Sequence, residues 1–340
     1  MAEFDDGRLD DPVVLAASDD VLRPLAEAGA RLRREASAAD DGVRILAEET
    51  RPRAVIAVGP EARLLRAVLE PVCTVPFVAW PSLGLPGWVG PLDLVVVLGG
   101  SGQHAGTCVH EALRRGSRLI VIAPQDSTLA RQSAARATTL LPVSPSSDPL
   151  PVAIVALAAL HAYRLGPAVS VAAIADALDA VARTCGHAVD MSANPAKMLA
   201  LELADAQPII WGGSVLAARA SRRIAEAVRT ASGRIALAAD AGELLPILAA
   251  TDPRDPFADP FEASDADPRP SLVIVDDGQG DAENDEQRIA LEENARVMDV
   301  RVSLLKHASG SAMERYATVL AQGLFAAAYL QIGLGRKGAL

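Results

Sequence analysis

The sequence predicts an α/β protein of two tandem, doubly wound parallel-sheet domains, each flanked by helices. Three observations carry that expectation. Short apolar runs such as AVIAV (54–58) and LVVVL (94–98) end at glycine turns that lead into helical patterns, as strands buried on both faces do. The order strand, glycine turn, helix, strand recurs in the second half of the chain, which reads as a repeat of one fold. The chain is 340 residues long, half of them apolar but only 3% aromatic, which suits helices packed on parallel sheets and exceeds one ordinary core.

In chain order, residues 1–50 form an acidic helical extension with helical patterns over 19–34 and 42–49. The first clear strand, 53–58, stops at Gly59; helix 62–69 follows, then strand 76–79 and the loop WPSLGLPGWVGP. In LVVVLGGSGQHAGTCVHEALRRGSRLIVIAPQDSTLA, a buried strand turns at Gly99, Gly100 and Gly102 into a helix, a second strand and a polar turn. Residues 142–151, rich in Pro, Ser and Asp, read as a loop before the apolar helix 152–165, which Gly166-Pro167 stops. The first domain is therefore set at 51–166. Residues 167–207 connect the halves through an Ala-rich helix at 169–184. The second domain, 208–340, opens with strand 208–211, the turn Gly212-Gly213-Ser214, helix 215–228 and strand 234–238. After a solvated acidic loop at 251–270 come strand 272–275, the turn Asp276-Asp277-Gly278, helix 284–299 and strand 300–305.

Charge and cysteine usage exclude several classes of function. The formal charge of -11 disfavours nucleic acid and anionic membrane as general partners, while leaving room for a local anion pocket. Cys73, Cys108 and Cys185 are odd in number and widely spaced, which points to a reducing cytoplasmic setting without disulfide or zinc. The start MAEFDDGRLDDP has no basic stretch and hydrophobic core of the signal-peptide kind, and no apolar run reaches about 18 residues.

The candidate binding residues cluster at glycine turns. Ser101, Gly102, Gln103, His104 and Thr107 combine small hydroxyls, an amide, an imidazole and free backbone N–H groups at a helix start, a seat suited to a sugar phosphate. The same hydroxyls are also ordinary helix caps. Gly212, Gly213 and Ser214 form the matching turn of the second domain, where glycine serves either a ligand or close helix packing. In SLLKHASGSAMERY, Lys306, His307 and Glu314 could form an acid/base set at the carboxyl edge of the second sheet. The alternative there is a plain loop with Ser309 or Ser311 as N-cap and Glu314 paired with Arg315 or solvent. Cys108 reads as a small buried hydrophobe, His110 as a surface residue, and His161 and His187 as structural. No metal site is expected, because the acidic run 276–286 lacks the ligand spacing of a calcium loop.

The tandem glycine-turn units, the segment just quoted from Leu94 onward, and NPAKMLALELADAQPIIWGGSVLAARASRRIAEAV resemble the sugar isomerase (SIS) domains of bifunctional phosphoglucose/phosphomannose isomerases over residues 51–330. That resemblance implies two SIS-type domains, a homodimer, a cytoplasmic location and cofactor-free interconversion of hexose 6-phosphates. The family's phosphate loop, S-x-S-G-N-T-x-E-T, falls on residues 99–107: Ser101, Gly102 and Thr107 match, while Gly99, His104 and Gly106 replace a serine, a threonine and a glutamate. The earlier G-G-S loop is replaced by Gly59-Pro60-Glu61. The positions of the family's glutamate, histidine and arginine fall on Arg229, on the histidine-free stretch from Ala241 to Leu245, and near Val152. Two readings stay open: a hexose 6-phosphate aldose–ketose isomerase, and a catalytically inactive sugar-phosphate sensor or partner-binding protein.

Overall fold

The computed structural model describes residues 3–99, 103–145, 148–252 and 269–336. The chain divides into two compact units, one running from Ala30 to Ala175, the other joining the residues up to Gly29 with those from Asp176 onward. Ahead of the first sheet lie α1 (Pro12–Ala17), α2 (Asp19–Ala26) and α3 (Ala28–Leu46). Asp11 caps α1 by accepting from the Val13 N–H at 2.8 Å, with Pro12 in the first turn where its missing donor costs nothing. The sequence patterns suggest a break before residue 42, but α3 runs through it. The reason is tertiary: a Cβ on Gly42 would lie 2.6 Å from Leu141 Cδ2, so the bare glycine lets the helix press onto the sheet without leaving helical geometry.

In the first unit, β1 (Val55–Val58), β2 (Phe77–Ala79), β3 (Leu94–Leu98), β4 (Arg118–Ala123) and β5 (Thr138–Pro142) form a wholly parallel sheet in the order β2-β1-β3-β4-β5. Between the strands run α4 (Ala62–Leu69), α5 (Gln103–Arg114), α6 (Thr128–Gln132) and α7 (Leu150–Ala162). Strands β1 and β3 are buried along their whole length, as their uninterrupted apolar runs require. Ile56, Val58, Val95 and Val97 pack with Ala105, Cys108, Val109 and Ala112 of α5 on one face. Helices α4 and α7 pack on the sheet outside that cluster. Strand β5, not assigned from the sequence, meets the stretch read as a loop only at Pro142. It is an edge strand ending in Pro142, a residue tolerated there because an edge need not donate to a second neighbour.

The second unit begins within α8 (Val171–Cys185) and continues through a 3-10 turn at Met191–Ala193 to α9 (Pro195–Glu202). Its sheet is β6 (Gln207–Gly212), β7 (Leu237–Ala238), β8 (Pro270–Asp276) and β9 (Arg301–Lys306), all parallel in the order β7-β6-β8-β9. Helices α10 (Val215–Ser232), α11 (Ala241–Ala249), α12 (Ala282–Val297) and α13 (Ala312–Gly333) complete it. Ile209, Trp211, Leu272 and Ile274 pack against Leu244 and Leu248 of α11 and Leu291 of α12. Of the acidic stretch 251–270, residues 253–268 lie outside the described residues. Both sheets are thus doubly wound and parallel, the architecture the sequence patterns predict. Among the described residues no helix is long and apolar enough to cross a membrane.

Lys197, on α9, joins distant parts of this unit. Its side chain is fully buried, and Nζ donates to Asp10 Oδ1 at 2.7 Å, to the Val189 carbonyl at 2.8 Å and to the His187 carbonyl at 3.1 Å. The ammonium also lies 5.5 Å from the centre of the Tyr329 ring on α13. Three donors therefore meet three acceptors from the N-terminal segment and the turn before α9.

Candidate functional site

Strand order reverses between β1 and β3 in the first sheet and between β6 and β8 in the second, and each reversal opens a crevice at the carboxyl ends of the strands. In the first crevice the ends of β1 and β3 come close together. Gly59 has φ +122°, and a Cβ on it would lie 2.6 Å from the Leu98 carbonyl oxygen. Gly99, at φ +63°, then turns the chain toward α5. The crevice is a cavity of about 1020 Å³.

One wall is a face of α5. Gln103, Thr107 and His110 line the cavity at helical spacing, whereas His104 does not, since one helical step turns it off that face. The Thr107 hydroxyl donates to the Gln103 carbonyl at 2.9 Å and keeps acceptor capacity toward the cavity. Ser101 and Gly102 lie outside the described residues. Beside α5, Ser127, Thr128 and Gln132 also line the cavity; the sequence reading did not single them out although the polar turn APQDST after β4 announces them. Ser127 is the N-cap of α6 and accepts from the Ala130 N–H at 3.1 Å.

Two carboxylates also border the cavity. Glu61 is only 3% exposed, and Asp148 pairs with Arg31 at 2.8 Å while accepting from the Leu150 N–H at 3.0 Å. Among the described residues no lysine or arginine lines this cavity, and Val152 contributes an apolar wall. An anion seated here depends on hydroxyls and backbone N–H groups.

The second crevice is smaller, about 280 Å³, and it separates the residues grouped by sequence. Gly212 is there for packing: a Cβ would stand 2.4 Å from the backbone carbon of Ala217 in α10. The Ser214 hydroxyl is committed twice, donating to Asp277 Oδ2 at 2.8 Å and accepting from the Ala217 N–H at 3.0 Å as the N-cap of α10. Gly213 lines the cavity beside the Trp211 ring. Lys306 also lines it, with Nζ 3.3 Å from Asp276 Oδ2.

His307 and Glu314 do not line this cavity. The backbone N–H of His307 donates to the Asp276 carbonyl at 2.9 Å. Glu314 closes a capping box at the start of α13: its Oε1 accepts from the Ser311 N–H at 3.0 Å and the Ser311 hydroxyl at 2.6 Å. Those two bonds hold its carboxyl below the usual carboxylate range, with smaller help from the charges of Arg315 and His307. Because the folded pKa is depressed, this contribution to stability is present at neutral pH and is lost as pH falls through the folded value. We expect Ser311→Ala to cost about 1 kcal/mol at pH 7 and less at an acid pH below the folded value of Glu314. Urea denaturation at the two pH values measures it; an equal cost at both would remove the carboxylate from the cap.

Cys108 is no nucleophile. Burial, reinforced by the Glu111 charge, pushes its thiol up to about 11, and Sγ donates to the Gly84 carbonyl at 3.1 Å. Among the described residues no group of three or more His, Cys, Asp or Glu side chains is arranged to hold a metal ion.

Residues 192–336 match the family model of the bacterial phospho-glucose isomerase C-terminal SIS domain. No curated protein sequence matches the chain. Among solved structures, the C-terminal domain of glucosamine-fructose-6-phosphate aminotransferase from Francisella tularensis is similar with a TM-score of 0.63 at 15% identity, over 93% of this chain and 96% of that one. Tagatose-6-phosphate ketose/aldose isomerase from Escherichia coli gives 0.61 at 12% identity, over 93% and 92%. A glucose-6-phosphate isomerase like protein from Thermus thermophilus gives 0.51 at 15% identity, over 88% and 91%. At these identities the structural likeness carries the fold. The chain has the SIS-type fold in both halves, and its second half is similar in sequence to the phosphoglucose isomerase C-terminal domain.

Proposed function

We propose that this protein binds a hexose 6-phosphate in the first crevice without interconverting aldose and ketose there. The observation that carries the reading is the cavity of about 1020 Å³ at the β1/β3 switch point, lined by hydroxyl and amide side chains from the starts of two helices, with Glu61 and the Arg31-paired Asp148 at its border. Hydroxyls, amides and helix N-terminal N–H groups satisfy phosphate and sugar oxygens alike. Isomerisation asks for more, namely a base at C2 and an acid at the ring oxygen. The wall carboxylates are poorly disposed for that work: Asp148 is engaged by Arg31, and Glu61 is nearly sealed from the cavity's solvent. Binding without turnover is the chemistry of a sensor or partner-binding protein. The resemblance to phosphoglucose/phosphomannose isomerases, together with three unpaired cysteines, supports a cytoplasmic homodimer.

Thermal denaturation with glucose 6-phosphate or mannose 6-phosphate tests the reading. At about a hundredfold excess over Kd either ligand should add about 2.7 kcal/mol of stability, and Thr107→Val and Thr128→Val should each weaken binding by about fivefold. A coupled isomerase assay at high protein concentration should show no rate above background. Turnover would restore the enzyme reading, and the lack of any stabilisation would remove the binding site.

A further inference from the structure

The second crevice gathers charged groups that neither the fold nor the first site explains. Asp276 ends β8, Lys306 ends β9, and Asp285 and Arg288 stand on the first turns of α12. Arg288 sits between two carboxylates, with Nη1 3.7 Å from Asp276 and Nη2 3.7 Å from Asp285. Both distances exceed hydrogen-bond length. Its Nε is buried and has no hydrogen-bond partner among the described residues. The Nη groups of this cavity-lining side chain are thus held only by long ion pairs, which leaves their donors to a ligand.

The charge balance selects the ligand. Among the lining residues Asp276 and Asp285 offset Arg288 and Lys306, and the next residue, Asp277, is buried and bonded to the Ser214 hydroxyl. Each cation here already stands beside a carboxylate, so a phosphate gains no net positive field from the cluster. Hydroxyl groups carry no such penalty, because each both donates and accepts, matching carboxylates and cations set side by side. Trp211 and Val275 add apolar wall, and about 280 Å³ holds one monosaccharide ring.

We infer that this crevice is a second, separate binding site for an unphosphorylated monosaccharide or similar polyol ring, held by Arg288, Lys306 and Asp276.

Titration of the full chain with D-glucose and D-mannose, followed by protein NMR, tests it. Saturable binding with a Kd of about 1–10 mM is expected, unaffected by saturating hexose 6-phosphate. Arg288→Met and Lys306→Met should each raise that Kd at least about tenfold, while Arg288→Met leaves stabilisation by hexose 6-phosphate unchanged. If Arg288→Met fails to fold, Lys306→Met carries the test, since that side chain is more than half exposed. The proposal is overturned by no saturable binding up to about 100 mM hexose, by an unchanged Kd in the variants, by competition between hexose and hexose 6-phosphate, or by inorganic phosphate binding that Arg288→Met abolishes.

Discussion

Lys197→Met should lower the stability of the second unit by about 2–4 kcal/mol, the cost expected when two buried carbonyls lose their hydrogen-bond donor. The ammonium is wholly buried and uses all three of its donors, on Asp10 and on the carbonyls of His187 and Val189. Methionine fills similar volume but leaves both carbonyls without this partner and removes the cation from the Tyr329 ring. Asp10 Oδ1 is less of a burden, since that side chain is 41% exposed and can return to water. Asp10→Asn, by contrast, leaves the buried ammonium without its counter-charge and should cost about 1–3 kcal/mol, moderated because the amide oxygen can still accept from it. Urea denaturation of the full chain compares the two variants. A loss below about 1 kcal/mol for Lys197→Met would mean that apolar packing, not the charge, holds this junction.

The second large effect is expected at Gly212. A Cβ there meets the carbon and oxygen of Ala217 at 2.4 and 2.5 Å and the Ala218 nitrogen at 2.7 Å, all backbone atoms of α10. A flexible side chain could swing aside, but a helix backbone must move as a whole. Gly212→Ala should cost about 3 kcal/mol or more and shift α10 away from β6. The outcome separates packing from recognition. A variant of unchanged stability that fails to bind ligand would return Gly212 to the binding role that sequence suggested.

These two residues show how unevenly the sequence disclosed the molecule. The buried strands were legible because a parallel strand covered on both faces leaves a continuous apolar run, as in β3 and β8. The glycines closing them were equally plain. Strand β5 was not, since a short, only partly buried edge strand leaves no continuous apolar run. Nor was the unbroken α3, where Gly42 reads as a breaker until the side chain of Leu141 is seen to need its space.

The candidate sites divide in the same way. At the first crevice, Gln103 and Thr107 could be named from the glycine turn, and helical periodicity places His110 on their face and His104 off it. Ser127, Thr128 and Gln132 follow the next strand, and only the sheet brings them beside α5. At the second crevice, Lys306 was visible beside His307 and Glu314. The fold instead pairs it with Asp276 and gives Glu314 to the Ser311 cap.

By itself, then, the sequence determined the periodic features: two repeats, buried parallel strands, glycine turns and the SIS-type fold they resemble. Periodicity is a local property, set by 3.6 residues per helical turn and two per strand, and it survives in the order of residues. Tertiary structure alone decided which charges distant in the chain meet. The Lys197–Asp10 pair spans 187 residues, and Arg288 meets Asp276 across a helix and a strand end. A Coulomb or hydrogen-bond contact depends on distance in space, and nothing in the chain's order encodes that distance until the sheets place both partners.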